Sequence, residues 1–127
     1  MNLEKVVFGF FIILAMTLNF GFFIGDLTDP RQHDVVEMFA AIVVNLVATV
    51  LKFGDRTQIG AIHLASSLVA DLQLIAAAIV WAIVVHVTGT GLTPSNTASI
   101  VSLAGGALLA NIVSVVILVV ETVMLRR

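Results

Sequence analysis

The sequence predicts an all-α, polytopic membrane protein: a bundle of four transmembrane helices with both termini on the same side. Of its 127 residues, 60% are hydrophobic and only 11% are charged, whereas ordinary soluble domains carry about 25% charged residues. Four apolar stretches, each reaching the ~20 residues that a spanning helix needs, are separated by short polar turns. We therefore expect one integral-membrane domain in a lipid bilayer, without a separate soluble domain or a nucleic-acid partner.

Turn and capping signals set the bounds of the predicted helices, which cover residues 3–24, 30–53, 56–87 and 94–125. The first predicted helix is longer than the apolar part of an ordinary signal peptide, so we interpret it as a transmembrane helix. The second and fourth each begin with a capping residue followed by proline, at Asp29-Pro30 and Thr93-Pro94. The third would be about 48 Å long against a hydrocarbon core of ~30 Å, so we expect it to tilt, kink or protrude.

The lysines and arginines are concentrated on one side of this topology. Four spans place both termini and the loop between the second and third helices on the same side. That side holds all of these residues except Arg31, namely Lys5, Lys52, Arg56, Arg126 and Arg127. By the positive-inside rule, this distribution predicts that both termini are cytoplasmic.

The opposite side carries an excess of carboxylates over its single arginine. We interpret Asp26, Asp34 and Glu37 as a candidate acidic mouth, which would favour cations over anions. The alternative is that the carboxylates on this side, Asp29 and Asp34 in particular, only cap and stabilise the start of a helix.

A polar stripe crosses the third predicted helix. His63, Ser67 and Asp71 follow one another at intervals of four residues and therefore share a helix face. Asp71 would lie near the middle of the bilayer, where a carboxylate costs roughly 2.5–3.5 kcal/mol even on the lenient insertion scale. It must face protein or water rather than lipid, which makes it the leading candidate for an intramembrane functional group.

Asn45 and Asn111 lie about halfway along the second and fourth predicted helices, at a depth similar to that of Asp71. One interpretation is a convergent polar site or ion path formed by three helices. The other is that the asparagines only bond helix to helix, a role worth ~0.6–2 kcal/mol in membranes. Small residues predicted to let helices approach closely are Gly21, Gly25, Gly106, Ala110 and Ser114.

No enzyme signature is present in the sequence. It contains no cysteine, phosphate-binding glycine loop or His-Glu-x-x-His motif. His63 and Asp71 would be about 12 Å apart along one helix, which is too far for both to bind one metal ion. We therefore expect no enzyme activity, no cofactor and no metal site within a single chain.

Three stretches of the sequence carry a family resemblance. They are Leu27-Thr-Asp-Pro-Arg-Gln-His-Asp-Val-Val-Glu-Met-Phe, Val43-Val-Asn-Leu-Val-Ala-Thr-Val-Leu-Lys-Phe-Gly-Asp and His63-Leu-Ala-Ser-Ser-Leu-Val-Ala-Asp-Leu-Gln. Together they resemble a family of small bacterial inner-membrane proteins of unknown function. The resemblance implies a bacterial inner membrane and a link to potassium or other cation channels, and it assigns no activity to any residue. The chain does not resemble the small fluoride channels or the small multidrug exporters.

These observations lead to three functional hypotheses. The first is a subunit of a cation-conducting assembly, with Asp71 lining a path for a monovalent cation. The second is an accessory or structural subunit, in which Asp71 only holds helices or subunits together. The third is a proton-coupled transporter with Asp71 as the carrier. Because four helices can scarcely enclose a hydrated path, we expect a homo-oligomer or a complex with a larger membrane protein.

Overall fold

The computed structural model describes residues 3–125, which form four long helices. They are α1 (Leu3–Phe23), α2 (Val35–Lys52), α3 (Gln58–Ala82) and α4 (Pro94–Leu125), and α3 continues into a π-helical segment at Ile83–Val87. Each is long and apolar enough to cross a membrane, and no strand occurs within the described part of the chain. The predicted all-α, four-span architecture is confirmed.

The helices form an antiparallel ring, in which α1 and α3 each pack against both α2 and α4, and the α3–α4 contact is the most extensive. We call the end with the α2–α3 loop the basic end, because it holds Lys5, Lys52 and Arg56. The other end, with Asp26 and Asp34, is the acidic end. Lys5 Nζ lies 2.8 Å from Glu121 Oε1 and ties α1 to α4 at the basic end. Arg126 and Arg127 lie outside the described residues.

The second helix begins later than the sequence predicts. Asp29 caps only a single 3-10 turn, Pro30–Gln32, and α2 begins at Val35, where the Asp34 side chain accepts a hydrogen bond from the Val36 N–H at 2.9 Å. His33 separates the two because its backbone is extended, with φ −124° and ψ 107°. Its ring lies within hydrogen-bond distance of two backbone carbonyls, and this tertiary arrangement overrides the local helix signal.

The ends of α3 also differ from the prediction. The helix begins at Gln58, after Thr57, whose hydroxyl accepts a hydrogen bond from the Gly60 N–H at 2.9 Å. At the acidic end the Thr88 N–H donates to the Ile83 carbonyl at 2.8 Å, five residues back, as in a π-helix. The long third span therefore ends by changing from an α-helix to a π-helix.

Replacing Thr57 with alanine should lower the free energy of unfolding by about 1 kcal/mol, because the first turn of α3 loses its cap. Thr57→Ser keeps the hydroxyl and should lose much less. Unfolding in mixed detergent micelles, followed by circular dichroism, measures both. Thr90→Ala is a control, since that exposed hydroxyl contacts only the hydroxyl of Thr88. Equal stability of all three variants would contradict the cap.

The predicted small residues occupy different places. A side chain on Gly21 would collide with the Glu37 carboxylate, and one on Gly106 with the Gln73 amide. Ser114 is hydrogen-bonded to Ser66, and Ala110 packs against the core, so the α4 residues lie where α4 meets α3. Gly25 does not pack between helices: it lies beyond the end of α1, with φ 113°, in a turn against Gln32.

The interior changes character along the bundle axis. From about the middle to the acidic end it is filled by an apolar cluster whose members include Phe22, Met38, Leu74, Ala77, Ile100, Val101 and Ala104. Toward the basic end, buried polar side chains lie beside a smaller apolar cluster of Phe8, Ile12 and Ala48. Because the buried polar groups are concentrated there, the candidate functional site lies between the middle of the bundle and the basic end.

Candidate functional site

All four helices contribute buried polar side chains to the bundle interior. We call this set the polar core, and its members are Asn19, Asn45, Thr49, His63, Ser67, Asp71, Asn111 and Ser114, each at most 5% exposed. Polar groups buried at membrane depth are costly unless they are hydrogen-bonded. The partners of each member therefore show what the site can do.

Asp71 lies about 20 Å along α3 from its start and is 5% exposed. Its Oδ2 lies 2.5 Å from the Thr49 hydroxyl of α2, and its Oδ1 has no hydrogen-bond partner among the described residues. The same Thr49 hydroxyl lies 2.9 Å from the Asn45 carbonyl oxygen. A hydroxyl has one hydrogen to donate, so that hydrogen faces two acceptors.

Ser67 and His63 continue the same α3 face from Asp71 toward the basic end, and both are fully buried. The Ser67 hydroxyl and both ring nitrogens of His63 have no hydrogen-bond partner within residues 3–125. The His63 ring instead meets the Phe8 ring of α1 edge to face, with centroids 5.0 Å apart. The predicted stripe therefore lies inside the bundle with most of its hydrogen-bonding capacity unused.

The structure places Asn45 and Asn111 inside the bundle with Asp71, but no direct hydrogen bond within the described chain joins any two of the three. Asn45 donates to the Ala41 carbonyl of its own helix at 2.9 Å. Asn111 donates to the Asn19 side-chain oxygen at 3.3 Å, with the Asn19 amide turned as its neighbours favour. The side-chain oxygens of Asn45 and Asn111 both lack a hydrogen-bond partner in the part of the chain that the structure describes.

Asn19 and Thr49 belong to the polar core but were not among the candidate site residues predicted from the sequence. Asn19 bridges α1 to α4: in the same amide orientation it donates to the Ala104 carbonyl at 2.9 Å and accepts from the Leu108 N–H at 3.0 Å. Its signal was an isolated asparagine in an apolar run. Thr49 follows Asn45 by one helical turn, and this spacing is the sequence feature that places the two on the same helix face.

At the basic end, Lys52 separates the polar core from the surface. Its Nζ lies 4.2 Å from the Phe8 ring centroid, a cation–π contact, and 3.4 Å from Asp55 Oδ2. A cavity of about 690 Å³ lies beside it, and its lining includes Glu4, Phe8, Lys52, Asp55 and Arg56. The Phe8 ring lines the cavity and also contacts the His63 ring, so it lies between the cavity and His63.

At the acidic end, the candidate mouth residues have local roles. Asp26 accepts hydrogen bonds from the Thr28 N–H and hydroxyl, both at 3.0 Å, and Asp34 caps α2. Hydrogen bonds from the Arg31 side chain and N–H lower the pKa of Asp29 to about 2. The Glu37 carboxylate lies against Gly21. Asp29 and Asp34 each cap the start of a helix, whereas Asp26 holds the turn before them. Apolar side chains fill most of the interior between these residues and Asp71.

The turn that carries Asp55 should respond to acid only at low pH. The Thr57 hydroxyl and N–H donate to the Asp55 carboxylate and, with a smaller effect of Lys52, hold its pKa below the usual 3.8. A carboxyl with a lowered pKa stabilises the folded state above its unfolded pKa, and this stabilisation is lost as pH falls through the folded pKa.

We therefore expect Asp55→Asn to destabilise the protein by a constant amount above about pH 5, and by a shrinking amount below about pH 4. Unfolding midpoints of both proteins across this range measure the difference. A difference that grows with falling pH would contradict the assignment.

The described residues form no cluster of metal-binding side chains. Within residues 3–125 there is no group of three or more histidine, aspartate or glutamate side chains that could hold a metal ion. The interior instead provides neutral oxygens and one carboxylate, with hydrogen-bonding groups leading to the basic end.

Comparison with known proteins identifies a family and no individual relative. Neither the curated proteins nor the solved structures contain a match to this chain. Residues 32–122, which include α2, α3 and most of α4, match one family. Since the match covers more than half of the sequence, the chain belongs to the family of unknown function DUF6394.

Proposed function

We propose that the protein is a subunit of a cation-conducting assembly in the bacterial inner membrane, with both termini in the cytoplasm. In this proposal Asp71 is the intramembrane group that binds the cation, and the cation is the proton. Ser67 and His63 of the polar core form the part of the path that leads from Asp71 to the basic end.

The observation that carries the proposal is the position of the Thr49 hydroxyl between two acceptors. An ionised Asp71 would compete with the Asn45 carbonyl for the single hydroxyl hydrogen. A protonated Asp71 removes the conflict, because its own O–H donates to Thr49 Oγ1 and the Thr49 hydrogen is left for the carbonyl. The geometry thus favours a carboxyl that holds a proton.

The remaining α3 face supports a route for that proton. Ser67 and His63 lie beyond Asp71 toward the basic end at axial steps of about 6 Å. Both can donate and accept hydrogen bonds, and a relay along them requires a water molecule between each pair of groups. Both are buried, and the Ser67 hydroxyl and the His63 ring nitrogens have no hydrogen-bond partner among residues 3–125. Beyond His63, Phe8 and Lys52 form the boundary with the basic-end cavity. Metal cations would have to pass the Lys52 ammonium group, whereas protons can be relayed between groups.

The apolar cluster is the closed part of the path in this proposal. Phe22, Met38 and Leu74 are at most 2% exposed and stand between Asp71 and the acidic end. Transfer across the whole membrane therefore requires the bundle to rearrange, or a second copy or larger partner to complete the route. Completion of the route by a second copy or a larger partner would make the conducting unit an assembly rather than a solitary chain.

Proton influx into liposomes tests the proposal. The purified protein is reconstituted around a pH-sensitive dye, and a membrane potential is imposed. We expect acidification of the lumen faster than in protein-free liposomes of the same composition. A rate equal to that of protein-free liposomes would overturn proton conduction by the chain, and a flux of sodium or potassium without proton flux would assign the path to a metal cation.

A second candidate function is an accessory or structural subunit without a path of its own. The observation that favours it is the Thr49–Asp71 hydrogen bond, which ties α2 to α3 across the buried interior. In that case Asp71 holds helices together, and liposomes containing the chain alone show no flux.

A further inference from the structure

His33 lies in the connection between α1 and α2, outside the polar core and at the opposite end of the bundle. The residue is only 6% exposed. Its Nδ1 lies 2.5 Å from the carbonyl oxygen of Phe22, near the end of α1, and its Nε2 lies 2.7 Å from the carbonyl oxygen of Asp26. One ring thus spans the end of a helix and the turn that follows it.

Both contacts can be hydrogen bonds only when the ring carries two N–H groups. A backbone carbonyl oxygen accepts and never donates, and a neutral imidazole has one N–H and one lone pair. In the neutral ring, one nitrogen lone pair would face a carbonyl oxygen at hydrogen-bond distance, which is repulsive. The imidazolium donates at both positions.

We propose that His33 is a protonation-dependent latch that gives the acidic end of the protein a pH-sensing function. When protonated, His33 ties the α1 terminus to the α1–α2 connection. When it loses the proton, one of the two ties is released and the connection loosens. Acid therefore closes the latch and base opens it.

The groups around His33 agree with this direction. Asp26, whose carbonyl oxygen faces Nε2, also carries a carboxylate. Its pKa is lowered mainly by hydrogen bonds from Thr28 and, with a smaller effect, by His33. The Asp34 carboxylate follows directly in the chain, where it caps α2, and Arg31 is paired with Asp29. From the other elements, the uncharged side chains of Phe22, Trp81, Leu92, Thr97, Ile100 and Val101 line the same small cavity.

The latch does not depend on cation conduction through the polar core. It follows from two contacts of one ring, and it concerns the exposed connection rather than the buried carboxyl. In the orientation expected from the positive-inside rule, this end faces the outside of the cell, so the latch would respond to external acidity.

Nitrogen-15 NMR of histidine-labelled protein in nanodiscs tests the latch without a variant. The spectrum is followed from about pH 5 to about pH 8, the interval in which histidines change charge. We expect His33 to carry hydrogen on both nitrogens at the acidic limit, and to lose one as pH rises. A His33 that is neutral at every pH, or protonated at every pH, would overturn the switch.

Amide hydrogen exchange tests the structural consequence. His33→Gln is the matched variant, because glutamine has one donor nitrogen where the imidazolium has two, and it does not titrate. At acidic pH, the Ile24, Asp26 and Asp29 amides should exchange several-fold to about tenfold more slowly in the parent than in His33→Gln, as for loss of one hydrogen bond. The ratio should approach one at the alkaline limit.

His86→Gln controls for histidine loss at the same end, since exposed His86 packs against Trp81, which also borders the His33 cavity. This variant should behave as the parent does. A parent-to-His33→Gln ratio that is independent of pH would overturn the proposal.

Discussion

Replacing Asp71 with asparagine should reduce voltage-driven proton influx into liposomes by at least roughly tenfold, because the path loses its one intramembrane carboxyl. Asparagine has nearly the same shape and can still bond to Thr49, but it cannot take up and release a proton. The pH-sensitive dye assay measures the rate, and size-exclusion chromatography measures the oligomer. We expect the oligomer to be unchanged.

Thr97→Val is the matched control for Asp71→Asn. Thr97 is 3% exposed, its hydroxyl has no hydrogen-bond partner among the described residues, and it lies in the acidic half, away from the polar core. Valine has the same shape and removes the buried hydroxyl. Equal influx through Asp71→Asn and the parent would contradict the role of Asp71, and equal loss in both variants would point to damage to the bundle.

The pH dependence of the parent adds a further constraint. If Asp71 takes up and releases the transported proton, influx should depend on pH and Asp71→Asn should remove that dependence. A metal-cation path has no such requirement, so a flux that does not change with pH would exclude proton coupling.

The fold was predictable because its signals are long and redundant. Four apolar runs of membrane-spanning length leave few other structures for the chain, and the prolines at 30 and 94 mark the turns. The start of α2 was not predictable, because it depends on His33 reaching the Phe22 and Asp26 carbonyls. A local pattern at Asp29-Pro30 carries no information about that tertiary contact.

The residues of the candidate site that could be predicted from the sequence are those that are unusual at membrane depth. Asp71 stands out because a carboxylate is costly there, and its spacing from Ser67 and His63 shows a shared face. Thr49 does not stand out, since a threonine in a spanning helix commonly bonds to its own backbone, as Thr17 does to the Leu14 carbonyl. Its contact with Asp71 depends on how α2 and α3 pack.

The distribution of buried polar and apolar side chains along the bundle axis could not be predicted from the sequence either. Each helix is apolar overall, and periodicity shows which face is polar but not what it meets. Whether an acidic loop is a mouth or a set of caps likewise depends on hydrogen bonds such as those from Thr28 to Asp26. These contacts are set by tertiary structure.

Replacing Thr49 with valine should lower the free energy of unfolding by about 1–3 kcal/mol, because the buried Asp71 carboxyl loses its hydrogen-bond partner. Thr17→Val is the matched control: the Thr17 side chain is exposed and bonds only to its own helix at 2.9 Å, so its loss should cost little. Unfolding of the parent and both variants in mixed micelles measures the difference. Equal effects of the two substitutions would contradict a stabilising Thr49–Asp71 bond.

A double-mutant cycle then separates the two candidate functions. Thr49→Val combined with Asp71→Leu should show a coupling of about 1 kcal/mol, within the range measured for interhelical hydrogen bonds in membranes. Asp71→Asn should retain most of the stability, because it can still bond to Thr49. If Asp71→Asn is stable but does not conduct, Asp71 acts on the proton. If the parent does not conduct and the coupling is present, Asp71 serves to bond α3 to α2. The protein is then an accessory or structural subunit.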